Sequence, residues 1–478
     1  MSDSCEVVVV GAGLSGLTAA YLLRDRDVVV LEADSQIGGR SQRTELGGWP
    51  VTSGGGGWYD PNPASPESRL ISELGIKTAP VSGTAMLHTA DGRNVTPAPA
   101  EELFGRLGMP DAARPDFVQT FNRVRETCDA LARPPVDGVI RKLLNVTGTE
   151  WIGPVHDDVL AYYRRLATTE IGISLESDSA FSLLTGMPAF GGASEVWGGY
   201  LMPEGGAPVI GLAMAEQLPR PPVTGALVTA VEQKGQRVTV TYRHNGQDKT
   251  LGADHVVVAT PHPVTSEIVR GLSAAQLTAM ATVRTQPIVE VLLLLADGGP
   301  VPWDEVSALW TVDKSFSVFV RSNAHQFNGT GDGQADKHSV IKLIAVGPSS
   351  APVADRTDEC IGELFINDFI DIYPEARGKV RAHSVKRWLY GVPLPAMGYD
   401  RHVAEMVKPV GNIHFAGDWC GFVNDSNPGG VGVDGEWGAY SVTAALHAVV
   451  RAGRRAAAEI RPYLVKVPVD QRTSELDG

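Results

Sequence analysis

Cysteine is scarce in this 478-residue chain: Cys5, Cys128, Cys360 and Cys420 lie far apart, without CxxC or any other metal-ligand spacing. That excludes a disulfide framework or a zinc cluster and predicts reduced thiols in a cytoplasmic protein. Long hydrophobic runs are also missing. The longest in the middle of the chain, residues 291–296, falls far short of the ~20 residues that span a bilayer, so no membrane span is expected. Residues 1–6 are short and polar and run straight into the apolar residues 7–10, leaving no room for a signal peptide. Basic charge is in deficit, with 41 Lys and Arg against 55 Asp and Glu, a net charge of −14 that disfavours nucleic acid and anionic membrane as partners. There is no internal repeat, Ser-His-Asp signature, Walker A loop or basic aromatic patch, and His262, His383 and His414 read as isolated structural histidines.

What remains is glycine-rich and apolar. With 43% hydrophobic and 20% charged residues, 53 glycines and 32 prolines, the composition is that of a loop-rich α/β enzyme, long enough for two or three domains. Residues 7–10 are four consecutive valines, as expected of a parallel strand buried on both faces. Gly11-Ala12-Gly13-Leu14-Ser15-Gly16 follows, and residues 17–23 carry apolar side chains at helical spacing. In the context of strand, turn and helix, Gly11 permits the tight turn, Gly13 lets backbone approach a pyrophosphate, and Gly16 lets the helix sit close to the strand. The helix N-terminus then faces phosphate charge. A second strand at residues 28–31 ends at Glu32, 21 positions after Gly11, where a carboxylate accepts hydrogen bonds from a ribose diol and disfavours a 2′-phosphate. A dinucleotide is the expected ligand.

Beyond Glu32 the chain reads Ala33-Asp34-Ser35-Gln36-Ile37-Gly38-Gly39-Arg40-Ser41. An acidic residue followed by a Gly-Gly-Arg turn resembles the flavin amine oxidase superfamily, which includes monoamine, polyamine and L-amino-acid oxidases and, more distantly, carotenoid-type desaturases. The resemblance implies that the dinucleotide is FAD and that Arg40 neutralises its pyrophosphate. It continues at Gly54-Gly55-Gly56-Gly57-Trp58, where the family places glycines beside the flavin ring; Gly56 and Gly57 would bind cofactor, and a flexible loop is the alternative. Pro203-Glu204-Gly205-Gly206 matches a family turn, and Val228 would contact the adenine through its backbone, unless it is an ordinary strand valine. Near the C-terminus, a strand at residues 412–416 leads into Gly417-Asp418, and Val433-Asp434-Gly435 start a helix. By resemblance, Asp418 approaches the ribityl-pyrophosphate region and the helix at Val433 points to the flavin pyrimidine.

Motifs at both ends of the chain must meet on one cofactor. The implied fold is α/β: a discontinuous Rossmann-like FAD-binding domain (residues 1–80, 202–285 and 401–460) with an inserted α+β substrate domain (81–201 and 286–400) and a C-terminal tail (461–478). Strands near 288–295 and 339–346 would face the flavin, covered by helices near 101–107, 116–131 and 157–166.

On the substrate side the pattern departs from the family. Where amine oxidases carry a lysine that holds water near flavin N5, this chain has Glu290. A buried Glu290 would serve as general base or anchor a cationic substrate, whereas one on the outer face of an edge strand does neither, and the outward reading is preferred. Trp388 would pack near the isoalloxazine and Tyr399 would form one wall of an aromatic cage; core aromatics are the alternative. Met397 and Gly398 stand where monoamine oxidases place a flavin-linking cysteine, so FAD should be non-covalent. The opposing cage tyrosine falls near Gly432, so that wall is absent or comes from Trp419, Phe422 or Trp437. The expected activity is oxidation of an amine or amide on a bulky or specialised-metabolite small molecule, with O2 as acceptor and hydrogen peroxide as product. The alternatives are a desaturase or dehydrogenase of a polyketide or terpenoid, suggested by Phe415-Ala416-Gly417-Asp418-Trp419, or an oxidation-coupled cyclase. A homodimer is allowed.

Overall fold

The computed structural model describes residues 4–55, 57, 59, 61, 63, 65–81, 83–131, 137–192, 201–296, 300–321, 338–421 and 446–464. Its two large sheets divide the chain. The first is built on four parallel strands in the order Val28–Leu31, Ser4–Val10, Gln247–Val258, Ile413–Phe415, with Val7, Val8 and Val9 fully buried between layers. The run of β-branched residues thus forms a strand with no solvent face. Gln247–Val258 is long enough to serve two neighbours along one side: its first half pairs antiparallel with Arg237–His244, its second half parallel with Ile413–Phe415. Ala226–Lys234 completes the sheet. What reads in the sequence as a hairpin and a separate strand near residue 255 is therefore one continuous antiparallel meander running into the parallel core.

Helix Leu14–Leu22 follows the first strand, and the C-terminal helix Leu446–Ile460 lies across it. The crossing is close because Gly453 has no side chain; a Cβ there would fall 2.4 Å from the Ser15 carbonyl oxygen.

The second sheet has seven strands in the order Val380–Pro395, Val283–Ala296, His338–Val346, Val318–Arg321, Val306–Thr311, Thr84–His88, Asn94–Val95. Along Val283–Ala296, residues 289–295 alternate between two faces. Val289, Val291, Leu293 and Leu295 pack against Ile361, Phe365 and Phe369 of helix Asp358–Ile372, while Leu292 and Leu294 pack with Val340 against Leu46 and Val51 of the hairpin Ser41–Leu46/Trp49–Gly54. That hairpin leaves the nucleotide-type fold and covers the second sheet, so it joins the two halves. Val283–Ala296 is paired on both sides, by Val380–Pro395 and His338–Val346. The expectation of an edge strand at Glu290 is therefore wrong: the sequence does not reveal that the 16-residue strand Val380–Pro395 lies outside it.

Helices Ala100–Leu107, Arg114–Leu131, Asp157–Ile171 and Ala180–Thr185 form a third body, held by Phe104, Phe117, Phe121 and Tyr163. No helix among the described residues is long and apolar enough to cross a membrane.

Candidate active site

The strand Ser4–Val10 ends at Gly11, whose φ of 100° is a conformation that side chains disfavour. A Cβ on Gly16 would fall 2.0 Å from the Gly11 oxygen, so only glycine lets helix Leu14–Leu22 begin here. Gly13 caps that helix without any side-chain hydrogen bond, and the Ser15 hydroxyl is buried with no partner among the described residues. The first-turn N–H groups and this hydroxyl form a donor set suited to an anion. Across from it, the Gly38 N–H donates to the Ala12 oxygen (2.8 Å), and a Cβ on Gly39 would lie 3.1 Å from the Gly13 Cα. The two glycine turns thus make a groove without side chains.

Glu32 stands at the end of its strand with its carboxylate accepting from the Ala12 N–H (2.6 Å) and the Asp34 N–H (2.8 Å). Burial raises its pKa above the ordinary value of 4.5, and those N–H donors only partly oppose the shift. The segment before Ala226–Lys234 is tied to it: Glu32 N–H donates to the Val223 oxygen and Ala226 N–H to the Glu32 oxygen. Val228 is buried two residues further on, paired with Tyr242. Asp34 also counts among the acids here; burial opposes ionisation, but hydrogen bonds from Gln42 and Ser35 hold its carboxyl below the usual range.

Arg40 joins the ends of the chain. One guanidinium nitrogen donates to Asp418 Oδ2 (2.5 Å), 378 positions away, and the other to the Gly391 oxygen (2.5 Å). Asp418 is nearly buried and also accepts from the Trp419 N–H, while Gly417 before it takes a φ of 134°. Trp419 is buried, its indole N–H on the Thr260 oxygen and its ring edge-on to His262. His262 is thus not an isolated histidine: it borders Trp419 and bonds Thr285, and burial lowers its pKa despite the opposing charge of Asp418. His414 is not isolated either. It bonds Glu459 (2.9 Å) and His255 (3.3 Å), and Glu459 in turn holds Arg455.

The glycine-rich segment lies beside Arg40. Gly55 N–H donates to the Arg40 oxygen (2.8 Å), and Gly57, at φ 77°, has room only for hydrogen against Ala207, the residue after Pro203-Glu204-Gly205-Gly206. Gly56, Trp58 and Val433 lie outside the described residues, as do Phe422, Gly432 and Trp437.

The substrate-side candidates fall in different places. Glu290 is 2% exposed and accepts from Ser53 Oγ (2.7 Å) and the Gly54 N–H (2.9 Å), with Lys342 Nζ 3.6 Å away. Trp388 is half-buried under the Lys386 ammonium (4.9 Å to the ring centroid), and its indole N–H is buried with no partner among the described residues. Tyr399 is a core residue, 3% exposed, whose hydroxyl donates to the Trp419 oxygen (3.2 Å). Sequence reasoning missed Ser15, Gly391 and Lys342. The signal for Lys342 was there: it is the one charge in the apolar run Val340-Ile341-Lys342-Leu343-Ile344.

The sequence profile described as flavin containing amine oxidoreductase matches residues 14–431. The chain belongs to this family. It is 30% identical over 96% of its length, and 97% of the relative's, to the Mycobacterium tuberculosis protein AofH, whose designation as a flavin-containing monoamine oxidase is itself provisional. To flavin-containing amine oxidase B of Homo sapiens it is 38% identical over 97 residues, 20% of this chain and 18% of that protein, so these mammalian matches span about a fifth of the relatives. Among solved structures, a putrescine oxidase bound to putrescine superposes with a TM-score of 0.71 at 20% identity, covering 96% of this chain and 99% of that one. The cyclohexylamine oxidase of Brevibacterium oxydans gives 0.70 at 19% identity over the same shares. These structures share the fold.

As a flavin-containing amine oxidoreductase, the protein is an FAD-dependent enzyme, and the donor set fits the cofactor: a Ser15 hydroxyl at a helix N-terminus with no partner among the described residues, a side-chain-free groove between Gly13 and Gly39, and the acid Glu32 directly after the strand Val28–Leu31.

Proposed function

We propose that this flavoenzyme is an oxidase of amines or amides that acts on a C–H bond next to nitrogen. The observation that carries the reading is the contact between Arg40 and Asp418, which brings the two cofactor motifs from opposite ends of the chain to one place. In this reading Glu32 takes the ribose, the Gly13 turn with Ser15 and Arg40 takes the pyrophosphate, Gly56, Gly57 and Val433 border the flavin, and the Val228 backbone meets the adenine. Bound FAD would supply the acceptor for a two-electron oxidation of a C–N bond to C=N, with O2 as the final oxidant taking two electrons and two protons to hydrogen peroxide.

The chain's own residues orient the substrate and exclude water rather than act as a nucleophile. Trp388 is the aromatic wall, and its indole N–H, buried with no partner among the described residues, is available to bond cofactor or substrate. Tyr399 supports the site from behind through the Trp419 carbonyl, so among the described residues Trp388 is the ring left for the cage, which suits a bulky substrate better than a small primary amine. Glu290 has its oxygens engaged by Ser53, Gly54 and Lys342 and supports no proton transfer. The cofactor is held without a covalent bond.

The test is aerobic turnover of purified protein with a panel of primary, cyclic secondary and aryl-substituted amines. One peroxide per imine-derived product supports the reading. Turnover that depends on an added electron acceptor points to a dehydrogenase or desaturase, and a product isomeric with its substrate points to a cyclase. A chain that retains no FAD sinks all three.

A further inference from the structure

The face that Val283–Ala296 and His338–Val346 turn to the hairpin is apolar except at one point, where Glu290 and Lys342 are buried side by side with side-chain exposures of 2% and 4%. Both reach the same residue, Gly54. Ser53 Oγ and the Gly54 N–H donate to the Glu290 carboxylate, and Lys342 Nζ donates to the Gly54 oxygen at 2.6 Å. Gly54 is thereby gripped at its N–H and its C=O from the substrate-side sheet. It is gripped from above too: at φ 82°, a Cβ on it would fall 1.8 Å from the Arg40 oxygen, which accepts the N–H of Gly55. The Arg40 guanidinium in turn bridges Gly391 and Asp418.

We propose that Glu290 and Lys342 are positioning residues that fix the glycine segment and the Arg40 backbone from the opposite sheet, and so set the geometry of the flavin site; this rests on the FAD reading above. Stability alone does not call for the pair. Two charges taken out of water are costly, and apolar side chains of similar volume in such places are often as stable or more so. Two leucines, however, cannot hold both polar groups of Gly54, and the backbone there would be free to shift toward or away from the cofactor. The pair also explains the glutamate at a position where a catalytic lysine was expected: the cation comes from the adjoining strand and is spent on the backbone.

The discriminating variant is Glu290→Leu with Lys342→Met, which removes both charges together. A merely structural pair would show unfolding temperature and FAD affinity recovering together. Positioning predicts a thermal midpoint of the apoprotein close to wild type with FAD affinity reduced about tenfold, as Ser53 and Gly54 lose two or three hydrogen bonds that fix them, and a shifted flavin absorption band. Ser53→Ala, which leaves both charges in place, should weaken FAD binding about threefold. FAD affinity and flavin spectrum unchanged in the double variant overturn the proposal; should that variant not fold, unchanged values in Ser53→Ala do so. A wild-type chain that binds no FAD would instead sink the flavoenzyme reading, so the two failures are distinguishable.

Discussion

Glu32 and Arg40 show how a single side chain decides between general and specific binding. Glu32 is already bonded to two backbone N–H groups, so it is oriented before any ribose arrives. Glu32→Ala and Arg40→Ala each remove a charge-assisted contact and should lower FAD affinity about tenfold or more, measured by fluorescence titration of the apoprotein. The pH dependence follows from the raised pKa of Glu32. Protonation begins above its ordinary value of 4.5, so on acidification FAD affinity should start to fall at a higher pH than an exposed glutamate would give. Glu32→Gln should remove that part of the profile. Glu32, Gly13 and Arg40 were legible in the sequence because each sits at a fixed offset from a strand end. Lys342 showed in the sequence only as a lone charge in an apolar run; its pairing with Glu290 did not, because Glu290 is 52 positions earlier and only strand pairing makes them neighbours.

At the scale of elements, the C-terminal helix Leu446–Ile460 is tied to strand Ile413–Phe415 through a buried chain of groups: Arg455 on the Phe415 oxygen, Glu459 on Arg455 and His414, and His414 on His255. Burial alone would raise the Glu459 pKa, but His414 and Arg455 more than offset it and hold the carboxyl low. A carboxyl depressed in the folded state stabilises above its unfolded pKa and ceases to do so as pH falls through the folded value, so this anchor is lost only in acid. Glu459→Gln leaves the buried Arg455 charge without its partner and should cost about 3 kcal/mol in denaturant unfolding at neutral pH. The helix was expected only as a continuation from Val433, since a run of alanines carries no sign of its buried ion pair. Gly16→Ala, with its Cβ 2.0 Å from the Gly11 oxygen, should force strand and helix apart and cost about 3 kcal/mol together with FAD binding.

Over the whole molecule, the chain closes on itself, with Ile413–Phe415 paired beside Gln247–Val258 in the first sheet. Arg40 and Asp418 come from opposite ends, and a ligand bound between their elements stabilises the folded state by mass action. Thermal unfolding should therefore shift upward with FAD concentration, and Asp418→Ala should shrink the shift although it lies 378 positions from Arg40. Acid precipitation should release the flavin into the supernatant; a yellow pellet would show a covalent bond.

The sequence by itself determined the nucleotide-type core, because a valine strand, three glycines and a terminal acid each answer a local demand: burial on both faces, backbone without side chains, a hydrogen-bond acceptor at a strand end. It also pointed to FAD, through the resemblance of its Gly38-Gly39-Arg40 turn to that of the flavin amine oxidases. Only tertiary structure decided where Glu290, Tyr399 and Trp388 lie and what they touch. Their roles depend on which strand lies beside theirs and which face is covered, and side-chain direction in a sheet reverses with a one-residue shift that sequence cannot resolve. Val380–Pro395 made an expected edge strand interior, and pairing with His338–Val346 on the other side set Glu290 beside Lys342.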